Sequence, residues 1–524
     1  VTQSSESSYE NTIKTLLHTQ RGTYQDLSYL PTFRASGLFF VVIDEQTATH
    51  VSFMNYWREK NNNSSVGAMV TLRDAEGTKV GRRYFRVDEM VYQIDARDIL
   101  ETSGPFLGSL EVDFYSDEDL KYAFPALSVF YETPGGLSYV HTNQRVFNNL
   151  DDQERGVRFN AWQTGFDIRF DDGTRPFIFL VNGPRHLSDA TVELKVFNAT
   201  GELIERKISL GELPGYAARR LELAEIDGLR GFLGTATGFC KINAPFGDVY
   251  CRFACGNSLA DGSWMSVTHS YFDCTAHDDF YTADAFADNE MPCYVPFHLI
   301  DGLDVELVFY PIMAKTKVAF SIECFDEEGR RRAIIEAPEA FDTAGERVFR
   351  IDVRKWLAEH GVTAGETLYC VHVDPTDGLL PTRVSFGLNY RKGQRLGTNI
   401  SSSVLMATSH GIRARSWLWG STAHRVGATN VIMVSHLSKL RDSRESAEFT
   451  LLLYGRHGQV ASKTYKSING TAINIMPGAL LKDAGYTPQD REVLWYALQS
   501  DNSSLICNQL HISSEGNIGG DHSF

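Results

Sequence analysis

The chain has 524 residues, a formal net charge of −16, and 43 % hydrophobic and 12 % aromatic residues. That apolar content fills several small cores and excludes a disordered, charge-dominated chain. The acidic balance argues against nucleic acid, which wants a basic patch, and no apolar run approaches the ~20 residues of a membrane-spanning helix.

Val1 opens a polar stretch, VTQSSESS, in place of a methionine start. This reads as a processed N-terminus, with a signal peptide removed and an extracellular or cell-surface destination. In residues 1–35, Ile13, Leu16 and Leu17 stand at helical spacing. A short N-terminal helical arm is expected, able to dock on the first domain or on a neighbouring subunit.

After the arm one unit recurs four times. Its marker is a hairpin turn with a glycine at or near the tip: Gly77, Gly201, Gly329 and Gly458, spaced 124, 128 and 129 residues apart. Apolar-alternating runs flank each glycine, as in VTLRDAEGTKV, so each marks a tight turn that needs positive φ. Upstream a strand recurs (HVSFMNYW, RPFIFLVN, DVELVFYPI, TNVIMVSHL). Downstream comes a strand running into a helical turn that ends near Gly104, Gly228, Gly361 or Gly485, then a further strand and a closing pair of strands. Roughly seven antiparallel strands per unit is the element count of an immunoglobulin-like sandwich. The fold class is therefore all-β: four tandem immunoglobulin-like antiparallel β-sandwich domains at 36–144, 163–272, 293–403 and 415–524, with the arm at 1–35. The likeness to tandem immunoglobulin-like surface proteins rests on this architecture and on no motif.

The eight cysteines follow no repeat, since the first unit has none. Most read as buried thiols acting as small hydrophobes. Cys240 with Cys251, and Cys274 with Cys293, are spaced so that either pair could close a disulfide.

The chain contains no HExxH, CxxC, Walker loop, GxGxxG helix start or GxSxG elbow. Three constellations still carry chemistry. His269, Cys274 and His277 have the residue types of a zinc site, although a strand start would send alternate residues to opposite faces. Asp278, Asp279, Asp284 and Asp288, in the acidic linker at 273–291, offer hard oxygen ligands for Ca²⁺, although the DxDxDG loop is missing. His141, His269 and His522 recur at the ends of three units while the third reads TNISSS; the structural reading is favoured over a binding position, since no nucleophile or carboxylate partner recurs with them. Trp417 and Trp419 share one strand face, which suits packing against the third domain or a sugar-stacking platform.

Repetition of turns and cores without a repeated catalytic set favours a non-enzymatic structural or interaction protein. Its form would be an extended or curved rod in an exported filament, sheath or appendage, with itself or other surface proteins as partners. A carbohydrate- or ligand-binding protein is the alternative. An enzyme with its site at a domain junction near His269–Asp288 is the third reading.

Overall fold

The computed structural model describes residues 31–524 apart from 101–103, 142–143, 149–161, 172, 283–292, 338–340, 343–347, 366, 404, 407–415 and 439–444. The expected helical arm lies almost wholly outside the described residues. What is described is a nearly all-β chain of several sandwiches.

The first sandwich consists of β1 (Arg34–Ile43), β2 (Ala48–Met54), β3 (Val66–Asp74), β4 (Lys79–Arg86), β5 (Val91–Asp95), β6 (Phe106–Ser116), β7 (Leu127–Thr133) and β8 (Gly136–His141). They form two antiparallel sheets in the orders β1-β6-β3-β4 and β5-β2-β7-β8. The same two orders recur in sandwiches that end on Met265–His269, Thr398–Ser403 and Ile518–His522. Alternation sets the inward faces: Ala68, Val70 and Leu72 of β3 are buried, as are Val192, Leu194 and Val196 of its counterpart. The edge strand β4 (KVGRRYFR) is mostly exposed and basic, which blunts its unpaired backbone against further pairing.

Each unit has eight principal strands where seven were expected. The missed one is the first, β1 and its counterparts, and the reason is burial on both faces. β1 packs inward on its own core. Outward, Leu38 N–H donates to Gln144 O at 2.8 Å, Ser36 Oγ to Val146 O at 3.2 Å, and Phe40 stacks on Phe179 of the second sandwich at 4.1 Å. A strand covered on both sides shows no polar–apolar alternation.

Short helices at Ala96–Asp98, Leu229–Leu233, Val353–Glu359 and Pro477–Asp483 carry the chain from the second sheet back to the first. Gly361 and Gly485 follow their helices at φ 70° and 72°, as a left-handed C-terminal cap requires. Gly228 departs from that expectation: it is the N-cap of Leu229–Leu233.

The units do not form a rod. Each marker hairpin docks its tip on the second sheet of the next sandwich, at the strand or loop that follows that sandwich's hairpin or at the strand paired with it. Ala75, in the first tip, accepts a hydrogen bond from Ala218 N–H at 2.9 Å. In the second, Phe197 and Leu203 pack with Val308, Tyr310 and Val348. In the third, a Cβ on Gly329 would fall well inside contact distance of the Asn469 carbonyl oxygen. The fourth returns to the first sandwich: Met90 N–H donates to Arg456 O at 2.9 Å, and Arg456 pairs with Glu89 at 2.7 Å. Four joints of one kind therefore close a ring within a single chain, the outcome of a head-to-tail contact whose rotation closes.

All eight cysteines are free and buried, including both pairs considered for disulfides. Burial raises Cys240 and Cys251 above the ordinary thiol range and pushes Cys507 up to about 12. Such thiols are poor nucleophiles. Dithiothreitol is expected to leave the thermal midpoint unchanged, and a fall in midpoint on reduction would reveal a crosslink that this fold lacks.

Candidate functional site at the ring axis

The last strands of the four sandwiches converge at the centre of the ring. β8 lies between Met265–His269 and Ile518–His522, and Thr398–Ser403 lies between the same two on the other side. Polar side chains stitch them together. Ser138 Oγ accepts from Val267 N–H at 2.8 Å, and Thr268 Oγ1 donates to Asn399 O at 2.8 Å. Thr398 Oγ1 donates to Gly520 O at 3.4 Å. Small residues permit the approach: a Cβ on Gly519 would collide with the Leu137 carbonyl.

This convergence brings together the three histidines that recur at the ends of units, and adds a carboxylate. His141, His269, Asp521 and His522 offer ligand-type atoms that all lie within 4.8 Å of one another. The imidazole rings of His141 and His269 are 4.5 Å apart edge-to-face, and those of His141 and His522 are 4.4 Å apart. Asp521 Oδ2 accepts from the His141 backbone N–H at 2.6 Å and lies 2.8 Å from His141 Nδ1, while its Oδ1 accepts from His522 N–H at 2.8 Å. Arg252 Nη1 stands 3.3 Å from His141 Nε2.

Two tautomers follow from the acceptors. Nδ1 of His269 lies 2.9 Å from the Ser270 carbonyl, and Nδ1 of His522 lies 2.9 Å from the Ser523 carbonyl. A carbonyl only accepts, so both Nδ1 atoms carry the proton and both Nε2 atoms present lone pairs. Burial keeps the rings neutral: His522 is lowered to about 4, and His269 lies well below the usual imidazole range, with His141 and Arg252 adding to it. Burial alone would raise Asp521, but the His141 ring beside it holds the carboxyl well below the ordinary range.

The other expected positions fall elsewhere. His269, Cys274 and His277 do not assemble: His269 is on the axis, the Cys274 thiol donates to Arg383 O, and exposed His277 contacts Met313 O. His269 ends its strand, whereas Cys274 and His277 lie beyond the short strand Tyr271–Phe272, in the loop that follows, where each finds a separate partner. Asp278 is exposed and Asp279 caps Thr275, while Asp284 and Asp288 lie outside the described residues. Asp273, at the head of that linker, is fully buried in an ion pair with Lys241 at 2.6 Å.

Trp417 and Trp419 do share a face, with ring centroids 6.5 Å apart, but among the described residues they pack against the first sandwich where the third was expected. Trp419 stacks on Tyr56 at 5.0 Å, with Lys60 Nζ 4.5 Å from its ring centre. Together with Tyr122, Phe124 and Phe524 these residues line an open cavity of about 430 Å³ between the first and fourth sandwiches. Beyond the same joint lies a larger cleft of about 850 Å³, lined by Glu89, Gln93, Arg456, Gln459, Tyr486 and Glu492. Sequence reasoning missed Asp521 and Arg252. The signal for Asp521 was its place immediately before the recurrent His522; Arg252 left none.

No protein-family model matches the chain. No curated protein matches it. Among solved structures, a beta-glucuronidase from glycoside hydrolase family 2 aligns with 45 % of this chain and 24 % of its own, at 6 % identity and a TM-score of 0.11. The native conformation of E. coli alpha-2-macroglobulin aligns with 91 % of this chain and 28 % of its own, at 8 % identity and a TM-score of 0.09. The chain thus spans about a quarter of the length of either. Likenesses this slight assign no family, and the chain stands as an all-β, multi-sandwich protein known by its own geometry.

Proposed function

We propose that this chain is a non-enzymatic structural or interaction protein, a preformed ring that acts as one rigid unit of a surface or extracellular assembly. The supporting observation is the cyclic docking of hairpin on loop. Each joint uses the same two surfaces, so all four pairs are consumed inside the chain and no open end remains for head-to-tail growth. Assembly then falls to a surface outside the cycle, and the segment before β1 is the natural candidate. Light scattering and negative-stain microscopy of the full chain, beside a chain lacking residues 1–30, test this. Oligomers that disappear on truncation are expected. Monodisperse monomers in both forms would overturn the assembly role.

The aromatic cavity favours a second reading, carbohydrate binding between the first and fourth sandwiches. Trp417 is half-buried and Tyr122 is 46 % exposed, with Lys60 Nζ 5.9 Å and 5.7 Å from their ring centres, so the cavity offers aromatic surface beside a cation. Under this reading a glycan that quenches tryptophan fluorescence loses about tenfold or more in affinity on Trp417→Ala, in keeping with ~1–3 kcal/mol for an aromatic anchor. No response across a glycan panel would end it.

A further inference from the structure

We infer that His141, His269, Asp521 and His522 form a transition-metal site on the ring axis, suited to Zn²⁺, that ties the first, second and fourth sandwiches together. The donor set is the first argument. Three imidazoles and one carboxylate form a nitrogen-rich, borderline-soft set that suits zinc and its neighbours, and not Ca²⁺ or Mg²⁺, which take oxygen shells.

The second argument is the state of the donor atoms. The buried Nε2 atoms of His269 and His522 have no hydrogen-bond partner among the described residues. Leaving two buried acceptors unsatisfied in one small volume is costly. One cation between them satisfies both.

Orientation is the third argument. Histidines that ligate a metal anchor the opposite N–H on a carbonyl or carboxylate, which fixes the ring and its tautomer. Here Ser270 O anchors His269 and Ser523 O anchors His522, both at 2.9 Å. Asp521 Oδ2 lies 2.8 Å from His141 Nδ1. The two serine carbonyls belong to the residues immediately after their ligands in sequence, so those restraints are built into the strand ends, whereas Asp521 reaches His141 from another sandwich.

Fit requires modest contraction. Zn–N bonds of ~2.0–2.1 Å place tetrahedral ligand atoms ~3.3 Å apart, against an outer separation of 4.8 Å here. Among the described residues the cation in contact is Arg252, with Nη1 3.3 Å from His141 Nε2. It also hydrogen-bonds the Tyr250 phenol, so it keeps a partner if the metal takes that imidazole.

The test uses the full chain, stripped with a chelator and dialysed against Zn²⁺ or Co²⁺. One metal per chain is expected, with a melting midpoint that rises with zinc concentration, as binding to the folded state requires. Co²⁺ should give the intense visible band of a four-coordinate site without thiolate charge transfer, which separates this site from the eight cysteines. His269→Gln and His522→Gln, chosen for similar size, should each weaken binding at least about 100-fold while circular dichroism stays native. His277→Ala, at an exposed histidine off the axis, should leave binding unchanged. Substoichiometric metal on the stripped chain overturns the inference, as does binding that survives the paired glutamine variant. A variant that fails to fold is replaced as evidence by the cobalt spectrum of the unmodified chain, whose absence is equally decisive.

Discussion

Gly329→Val is expected to destabilise the protein by about 2–6 kcal/mol, through two effects that add. The residue sits at φ 71°, where a β-branched side chain is strained by ~1–3 kcal/mol. Its new Cβ would also drive into the Asn469 carbonyl across the joint between the third and fourth sandwiches, and overpacking of this kind costs a further ~1–3 kcal/mol. Gly361→Val separates the two effects. Gly361 has nearly the same φ, 70°, yet nothing lies within 4 Å of an added Cβ, so only the backbone strain should appear. Urea unfolding measures both, and hydrogen exchange at Asn469–Thr471 should rise only in the Gly329 variant. Equal losses at the two positions would mean that the hairpin tip does not bear on the joint.

Acid is expected to weaken the ring between about pH 6.5 and pH 4. His298 is buried where the third and fourth sandwiches meet, with Nδ1 2.7 Å from Asn474 Oδ1 and Nε2 2.8 Å from Ser435 Oγ. Burial pushes it down to about 4. His511 falls to about 4 by burial, with Arg425 adding to it, and His50 to about 3 by burial, with Arg491 and Arg425 adding. In the unfolded chain each takes a proton near its ordinary value of ~6.5. Across the window the unfolded state therefore holds more protons, so stability is full above it, falls as pH drops through it, and levels off below the folded values. Each histidine contributes ~3 kcal/mol over the whole window, a slope near ~1.4 kcal/mol per pH unit. His298→Gln should remove about one such slope from the pH dependence of urea unfolding. An unchanged slope would show that His298 gains protons equally in both states.

The turns and alternating strands were legible in the sequence because they are local. Gly77, Gly201, Gly329 and Gly458 announced the hairpins, and period two in β3 announced which face turned inward. The first strand of each unit was not legible, because SWLWGSTA or RASGLFFVVI is covered on both sides and presents no alternation. The ring itself was out of reach for another reason. Its joints pair residues such as Met90 and Arg456, and no local pattern encodes a contact across that separation. For the same reason Trp419 was matched to its sequence neighbour, the third sandwich, when ring closure sets it on Tyr56 of the first. The recurrence of His141, His269 and His522 was visible, but their meeting, and the part of Asp521, needed the axis.

Closure of the ring by one chain frees it from a constraint that binds assemblies of identical subunits. A substitution in a homotetramer is copied at every interface and on every side of the axis. Here each joint can change alone, so one is sealed by the stacked pair Phe239 and Tyr310, another by the buried His298, and another by Trp419 on Tyr56. The centre benefits most. Four equivalent strand ends would bring four identical side chains into one crowded point, whereas three histidines, a lone aspartate and the serine-rich end of the third unit can share it without symmetry.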